Sequence, residues 1–181
     1  ALGYLDGDLK LDVVVTNPGV NEGAPCQNDE NARGPLVAWY RHPPDPTVGS
    51  WTGFVLAKFT DISPATLSVV DVAVFDIDLR GALPEDRRPE VAVSAMITRS
   101  ASSAIPGTVP PIISQTGLIR WFVPYADPTR PWVENSLADL SAAPGRMAAG
   151  EIDDDAFPDL IVPLMHLDPA ADEVVWLDNP L

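Results

Sequence analysis

The stretch that decides the fold is Glu151-Ile152-Asp153-Asp154-Asp155-Ala156-Phe157-Pro158-Asp159, followed at once by Leu160-Ile161-Val162. Counting from Glu151, acidic side chains fall at positions 1, 3, 5 and 9 of a nine-residue loop. The β-branched and aliphatic run behind them reads as a strand. Carboxylates at alternate positions of a tight loop converge on one point, and unneutralised they repel one another. A hard divalent cation such as Ca²⁺, which takes about six to eight oxygens, removes that repulsion. Seen once, the loop also reads as a solvated turn, since Asp is a turn former in its own right. An EF-hand is excluded: it needs Glu at position 12 and flanking helices, and position 12 is Val162 inside the apolar run.

The loop is repeated, and internal repeats outrank any local reading. Upstream, Tyr4-Leu5-Asp6-Gly7-Asp8-Leu9-Lys10-Leu11-Asp12 precedes Val13-Val14-Val15, with Asp6, Asp8 and Asp12 at positions 3, 5 and 9 and Tyr4 at position 1. Between them, Asp76-Ile77-Asp78 is followed by an insertion and then by Asp86-Arg87-Arg88-Pro89-Glu90 and Val91-Ala92-Val93. If residues 79–85 replace a single residue, Asp86 takes position 5 and Glu90 position 9. The position-9 acids Asp12, Glu90 and Asp159 then lie 78 and 69 residues apart. A second motif keeps the same beat: Val37-Ala38-Trp39-Tyr40-Arg41-His42-Pro43, Ile119-Arg120-Trp121-Phe122-Val123-Pro124, and Val174-Val175-Trp176-Leu177-Asp178-Asn179-Pro180. Each is an alternating strand with Trp near its centre and Pro past its end. A third motif sets Trp51 with Phe54-Val55-Leu56 and Trp132-Val133 with Leu137.

These three motifs, in this order, resemble FG-GAP repeats, also called VCBS-type repeats, of calcium-binding β-propellers such as the integrin-α-like ones. The family pattern is Gly-Asp-x-Asn/Asp-Gly-Asp-Gly-x-x-Asp, a hydrophobic strand, then in many bacterial members a Trp-Tyr/Phe-x-Asn-Pro strand. Gly3 and Gly150 stand where the leading Gly stands, and Asn179-Pro180 keeps the Asn-Pro. The resemblance covers nearly the whole chain. It implies all-β blades of four antiparallel strands, with a calcium loop joining the first two strands of each. The repeats run approximately 1–66, 67–140 and 141–181, about two and a half blades of one partial propeller. A ring needs about four to eight blades, so the rest is expected from a longer chain or from other copies.

Within that frame the expected Ca²⁺ ligands follow loop by loop. In loop three, Glu151, Asp153, Asp155 and Asp159 supply side-chain oxygens and Phe157 its carbonyl. In loop two, Asp76, Asp78, Asp86 and Glu90 do so, with the carbonyl of Arg88. In loop one, Asp6, Asp8 and Asp12 remain, with the carbonyl of Lys10, while Tyr4 replaces the first ligand. Fewer anionic ligands bind more weakly, which ranks the loops three, two, one. Trp39, Trp121 and Trp176 are expected to be buried at equivalent positions between blades. The polar segments 17–34 and 98–116 are expected to be long surface loops, side by side, and helix to be essentially absent.

Composition narrows the function classes. The 181 residues carry 11 Lys+Arg against 26 Asp+Glu, a formal charge of −15, which argues against nucleic acid and anionic membranes as partners. No apolar run is long enough for a membrane-spanning helix. Cys26 is the one cysteine, so no disulfide forms within the chain. The two histidines, His42 and His166, sit in a turn and at a strand end, with no Gly-x-Ser-x-Gly elbow elsewhere. The sequence therefore favours a non-catalytic, calcium-stabilised module that binds a glycan or protein ligand or serves adhesion. The propeller portion of a secreted polysaccharide-active enzyme, such as a lyase, and a pure scaffold stand as alternatives. Sites of this kind work where Ca²⁺ is about millimolar, so an extracellular, periplasmic or cell-surface location is expected.

Overall fold

The computed structural model describes residues 1–18, 35–59, 65–75, 88–101, 111–154 and 157–178. They form three antiparallel sheets in chain order. The first holds β1 (Leu2–Gly3), β2 (Asp12–Pro18), β3 (Pro35–Arg41) and β4 (Thr52–Lys58), paired in that order. The second repeats the up-and-down path with β5 (Ala65–Phe75), β6 (Glu90–Ser100), β7 (Ile112–Val123) and β8 (Val133–Leu140). The third contains β9 (Ala143–Pro144), β10 (Ala148–Gly150), β11 (Asp159–Met165) and β12 (Glu173–Leu177). Among the described residues the one helical element is a 3-10 turn, Pro169–Ala171, capped by the Asp168 side chain. The architecture is all-β, in blade-like units of four antiparallel strands.

Registers show that the units are copies. The position-9 acid opens the second strand of each sheet and faces the last residue of the first strand: Gly3 opposite Asp12, Phe75 opposite Glu90, Gly150 opposite Asp159. One step further, the tryptophans are equivalent too: Val14 faces Trp39, Ala92 faces Trp121, and Ile161 faces Trp176. The third motif marks a bulge. The β3–β4 ladder shifts between Val37 and Ala38 and steps over Leu56, and the β7–β8 ladder shifts between Ile119 and Arg120 and steps over Leu137. A bulge inserts one residue and sharpens the local twist, and here it recurs at one place in two sheets.

Side chains alternate across a strand with period two, and that alternation builds the core between sheets. Val14, Val37, Trp39, Phe54 and Leu56 of the first sheet pack against Val69, Val91, Val93 and Phe122 of the second and against Trp132, just before β8. The opposite face of the second sheet, with Ala92 and Ile119, packs against Leu160, Val162 and Leu164 of the third. The middle sheet is thus covered on both faces, which explains why β6 is buried without interruption from Glu90 to Ala95. Approach is close at the first interface. A methyl group added at Gly3 would stand 2.5 Å from Val74 Cγ1, so only glycine fits there.

Four expectations need correction. Trp39 is fully buried and Trp121 half-buried, but Trp176 is 48% exposed. Its face of β11–β12, shared with Ile161 and Val174, has no further sheet packed on it among the described residues. The segment 98–116 is only partly loop, because Thr98, Arg99, Ser114, Gln115 and Thr116 extend the β6–β7 hairpin. The connection between the first two repeats, which the sequence leads one to expect over 61–66, ends earlier, since β5 begins at Ala65. The first strand of the third repeat is broken in two: β9 and β10 line the same edge of β11 in turn. Pro144 has no N–H to continue the ladder, Gly145 N donates to Pro163 O, and Met147 N donates to the Asp71 carboxylate of the second sheet instead. The third sheet therefore has three strand positions, although it has four strands. Residues 19–34 and 102–110, and with them Cys26 and the loop tips expected to lie side by side, fall outside the described residues.

Candidate metal centre

In loop three the carboxylates of Glu151, Asp153 and Asp159 gather so that one oxygen from each lies within 4.8 Å of the others. Two are exposed, and Asp159 is buried at the head of β11. The backbone makes the gathering happen. Asp154 adopts a left-handed φ of 65°, which turns the chain back on itself, a conformation that Asp tolerates better than most residues. The amide of Ile152 donates to Asp159 Oδ2 at 3.2 Å and closes the loop onto the strand. The donor set is all oxygen and all anionic, the set a hard cation selects. Phe157 is half-buried beside it. Asp155, the fourth expected carboxylate, lies outside the described residues.

Loop one is built on the same backbone plan. Gly7, at the position equivalent to Asp154, has φ of 79°, and Leu9 follows with 62°. The amide of Leu5 donates to Asp12 Oδ2 at 3.1 Å, the counterpart of the Ile152–Asp159 bond. The same loop closure therefore recurs in the two outer sheets. The remaining carboxylates behave differently. Asp6, Asp8 and Asp12 form no such convergent group. Asp6 Oδ1 accepts from Asp8 N, and Asp8 Oδ1 accepts from Lys10 N, two successive Asx turns. Asp6 Oδ2 lies 2.7 Å from Arg41 Nε, a charge contact rather than an aligned hydrogen bond. Asp12 is fully buried, and its second oxygen accepts from His42 N at 2.9 Å. Burial pushes the Asp12 carboxyl above its ordinary range. The His42 and Leu5 amides pull it back, and the nearby charges of Asp6 and Asp8 add to the rise. Tyr4, at position 1, is half-exposed and contributes no carboxylate.

Of loop two, the described residues are Arg88, Pro89 and Glu90, while Asp76, Asp78 and Asp86 lie outside them. Glu90 is buried, so Asp12, Glu90 and Asp159 are the buried carboxylates among the described residues, one at each equivalent position. Arg88 uses its side chain: Nη1 donates to the carbonyls of Tyr125 and Ala126 at 3.0 and 2.8 Å.

A further repeated element escaped the sequence reading. Asp45-Pro46-Thr47 and Asp127-Pro128-Thr129 fold identically, each Asp Oδ1 accepting from the Thr amide and, at 2.6 Å, from the Thr hydroxyl. These bonds hold both Asp carboxyls below their ordinary range, the hydroxyl contributing most. The signal was present as Asp-Pro-Thr just before Trp51 and Trp132. In the second copy Trp132 Nε1 donates to Pro128 O, which fixes the turn to the core.

Comparisons of the chain with family models, curated proteins and solved structures return no match.

Proposed function

We propose that the chain is a calcium-stabilised β-propeller segment of the FG-GAP/VCBS type, acting outside the cell as a non-catalytic module that presents its loops to a glycan or protein ligand. The observation that carries this reading is the gathering of Glu151, Asp153 and Asp159 within 4.8 Å, at the loop–strand junction where the repeat puts its position-9 acid. Such a group is costly without a counter-charge, and Ca²⁺ bound there ties the loop to β11. The role of the ion is structural. It links β10 to β11 and holds the loop in one conformation for whatever the blade edge contacts. The exposed face carrying Trp176 and Val174 supports the further reading that more blades follow in the working molecule, from a longer chain or from other copies.

The test is a calorimetric titration of metal-stripped protein with Ca²⁺, paired with thermal unfolding in chelator and at millimolar Ca²⁺. Binding heat and a raised Tm are expected by mass action, and both are expected to vanish in Glu151→Gln/Asp153→Asn. No heat and no Tm change would leave the acidic loops as ordinary turns.

A further inference from the structure

We propose that Arg41 is the resident cation of loop one and the residue that decides which loops take metal. This rests on the metal reading of loop three given above. The two loops share their closure bond and their left-handed turn at position 4. They differ in what the end of the third strand sets beside the position-3 carboxylate. In loop one the guanidinium of Arg41 stands against Asp6, whose side chain is only 7% exposed. In loop three the equivalent carboxylate, Asp153, lies in a group with Glu151 and Asp159.

The repeat register places Arg41 with care. It lies two residues beyond Trp39 at the end of β3, and the residues two beyond Trp121 and Trp176 are Val123 and Asp178. The same strand position thus holds a cation beside loop one, an apolar group in the second repeat and a carboxylate in the third. Arg41 is also held in place. Its guanidinium carbon is 5.6 Å from the Trp39 ring centroid and 5.4 Å from that of Phe54, and those two rings stack 4.8 Å apart. An aromatic face attracts a guanidinium and restrains its rotation. A fixed internal cation and a bound divalent ion exclude each other electrostatically. Loss of the position-1 carboxylate, replaced by Tyr4, is the other half of the same exchange.

The experiment counts Ca²⁺ bound per chain by equilibrium dialysis, in the full chain and its variants. In the parent, Asp6→Asn is expected to leave the count unchanged, whereas Glu151→Gln/Asp153→Asn removes one ion. Tyr4→Asp with Arg41→Gln is expected to gain one ion, and that gain should disappear on adding Asp6→Asn. Tyr4→Asp with Arg41→Lys, which keeps the charge, should gain none. A parent count that falls with Asp6→Asn, or no gain in Tyr4→Asp/Arg41→Gln, overturns the proposal. A metal-independent arm separates it from the reading of loop three. In chelator, Asp6→Asn is expected to lower Tm in the parent and to lower it by less than half as much in the Arg41→Gln background, the non-additivity of a contacting pair. Additive losses would overturn the assignment of Arg41 even if loop three binds Ca²⁺. A count unaffected by Glu151→Gln/Asp153→Asn would sink the metal reading and leave the pair to be judged by the chelator arm.

Discussion

The first and third sheets are two foldings of one sequence pattern, and they meet different surroundings. In the first, Trp39 is sealed under the second sheet and Arg41 of the same sheet stands against Asp6 of the acidic loop. In the third, the equivalent Trp176 is half-exposed and the acidic loop gathers its carboxylates with no arginine at the matching strand position. A repeat unit prescribes a backbone path and the direction each side chain points. Whether a given side chain is core or surface depends on the neighbouring copy, and what stands against an acidic loop depends on the residue at the end of the unit's own third strand.

The largest expected contrast is between the tryptophans. Trp39→Ala should cost roughly 3–5 kcal/mol, the usual range for truncating a buried large aromatic, because it opens the core between the first two sheets. Trp176→Ala should cost less than about 1 kcal/mol in the chain as it stands, in line with exposed substitutions. Urea denaturation measures both. Equal losses would mean that the face of Trp176 is covered in solution, and would point to association through it.

Next is the ion. At a free Ca²⁺ concentration about 100 times the dissociation constant, mass action adds about 2.7 kcal/mol to the stability of the folded chain. That increment should survive Asp6→Asn and disappear in Asp153→Asn. Thermal unfolding at matched ionic strength, with Mg²⁺ as control, reports it. Survival of the increment in Asp153→Asn would erase the distinction between the loops.

Asp12→Ala tests the closure that the two loops share. It leaves the amides of Leu5 and His42 without their acceptor. Each unsatisfied buried group costs about 1–3 kcal/mol, offset in part because the carboxyl itself is held above its ordinary range by burial. A net loss of about 2 kcal/mol is expected from two opposing effects of this size. With the folded value raised, ionising Asp12 costs stability, and this cost grows as pH rises through the unfolded carboxylate value and is complete above the folded one. Asp12→Ala should therefore flatten part of the pH dependence of unfolding in the mildly acidic range; an unchanged profile would count against the buried carboxyl.

The smallest effect concerns the turns. Asp45 and Asp127 have folded values below the ordinary range. The stability they contribute is present above the unfolded value and is lost as pH falls through the folded one. Thr129→Val should move Asp127 upward towards the ordinary range and leave Asp45 where it is, as read by carboxyl NMR titration. A shift at both would mean that the two turns are coupled.

Much of this molecule was legible in the chain because repetition multiplies a weak signal. The strands Asp159–Met165 and Pro35–Arg41 contain the Leu160-Ile161-Val162 run and the first Trp motif read as strands from the sequence, since β-branched runs bounded by turn residues carry their own period. The equivalence of Asp12, Glu90 and Asp159 followed from the repeated loop motif, with residues 79–85 taken as an insertion, and ladder register confirms it. The β6–β7 extension was missed because Ser, Thr and Gln in an exposed hairpin lack apolar alternation, while their backbone groups pair regardless. The split of the strand before loop three was missed because it depends on Asp71, 76 residues away in sequence from the Met147 amide it accepts.

By itself, then, the sequence determined the strand pattern, the repeat frame and the convergence of the loop-three carboxylates, because these are set by local period, turn chemistry and spacing. Only the tertiary structure decided that Trp176 lies open while Trp39 does not, that the three position-9 acids are buried, and that Asp6 turns to Arg41. Each of those depends on what arrives from another strand or sheet, and the charge of a tight acidic loop can be met by an arginine or by an ion with the same backbone.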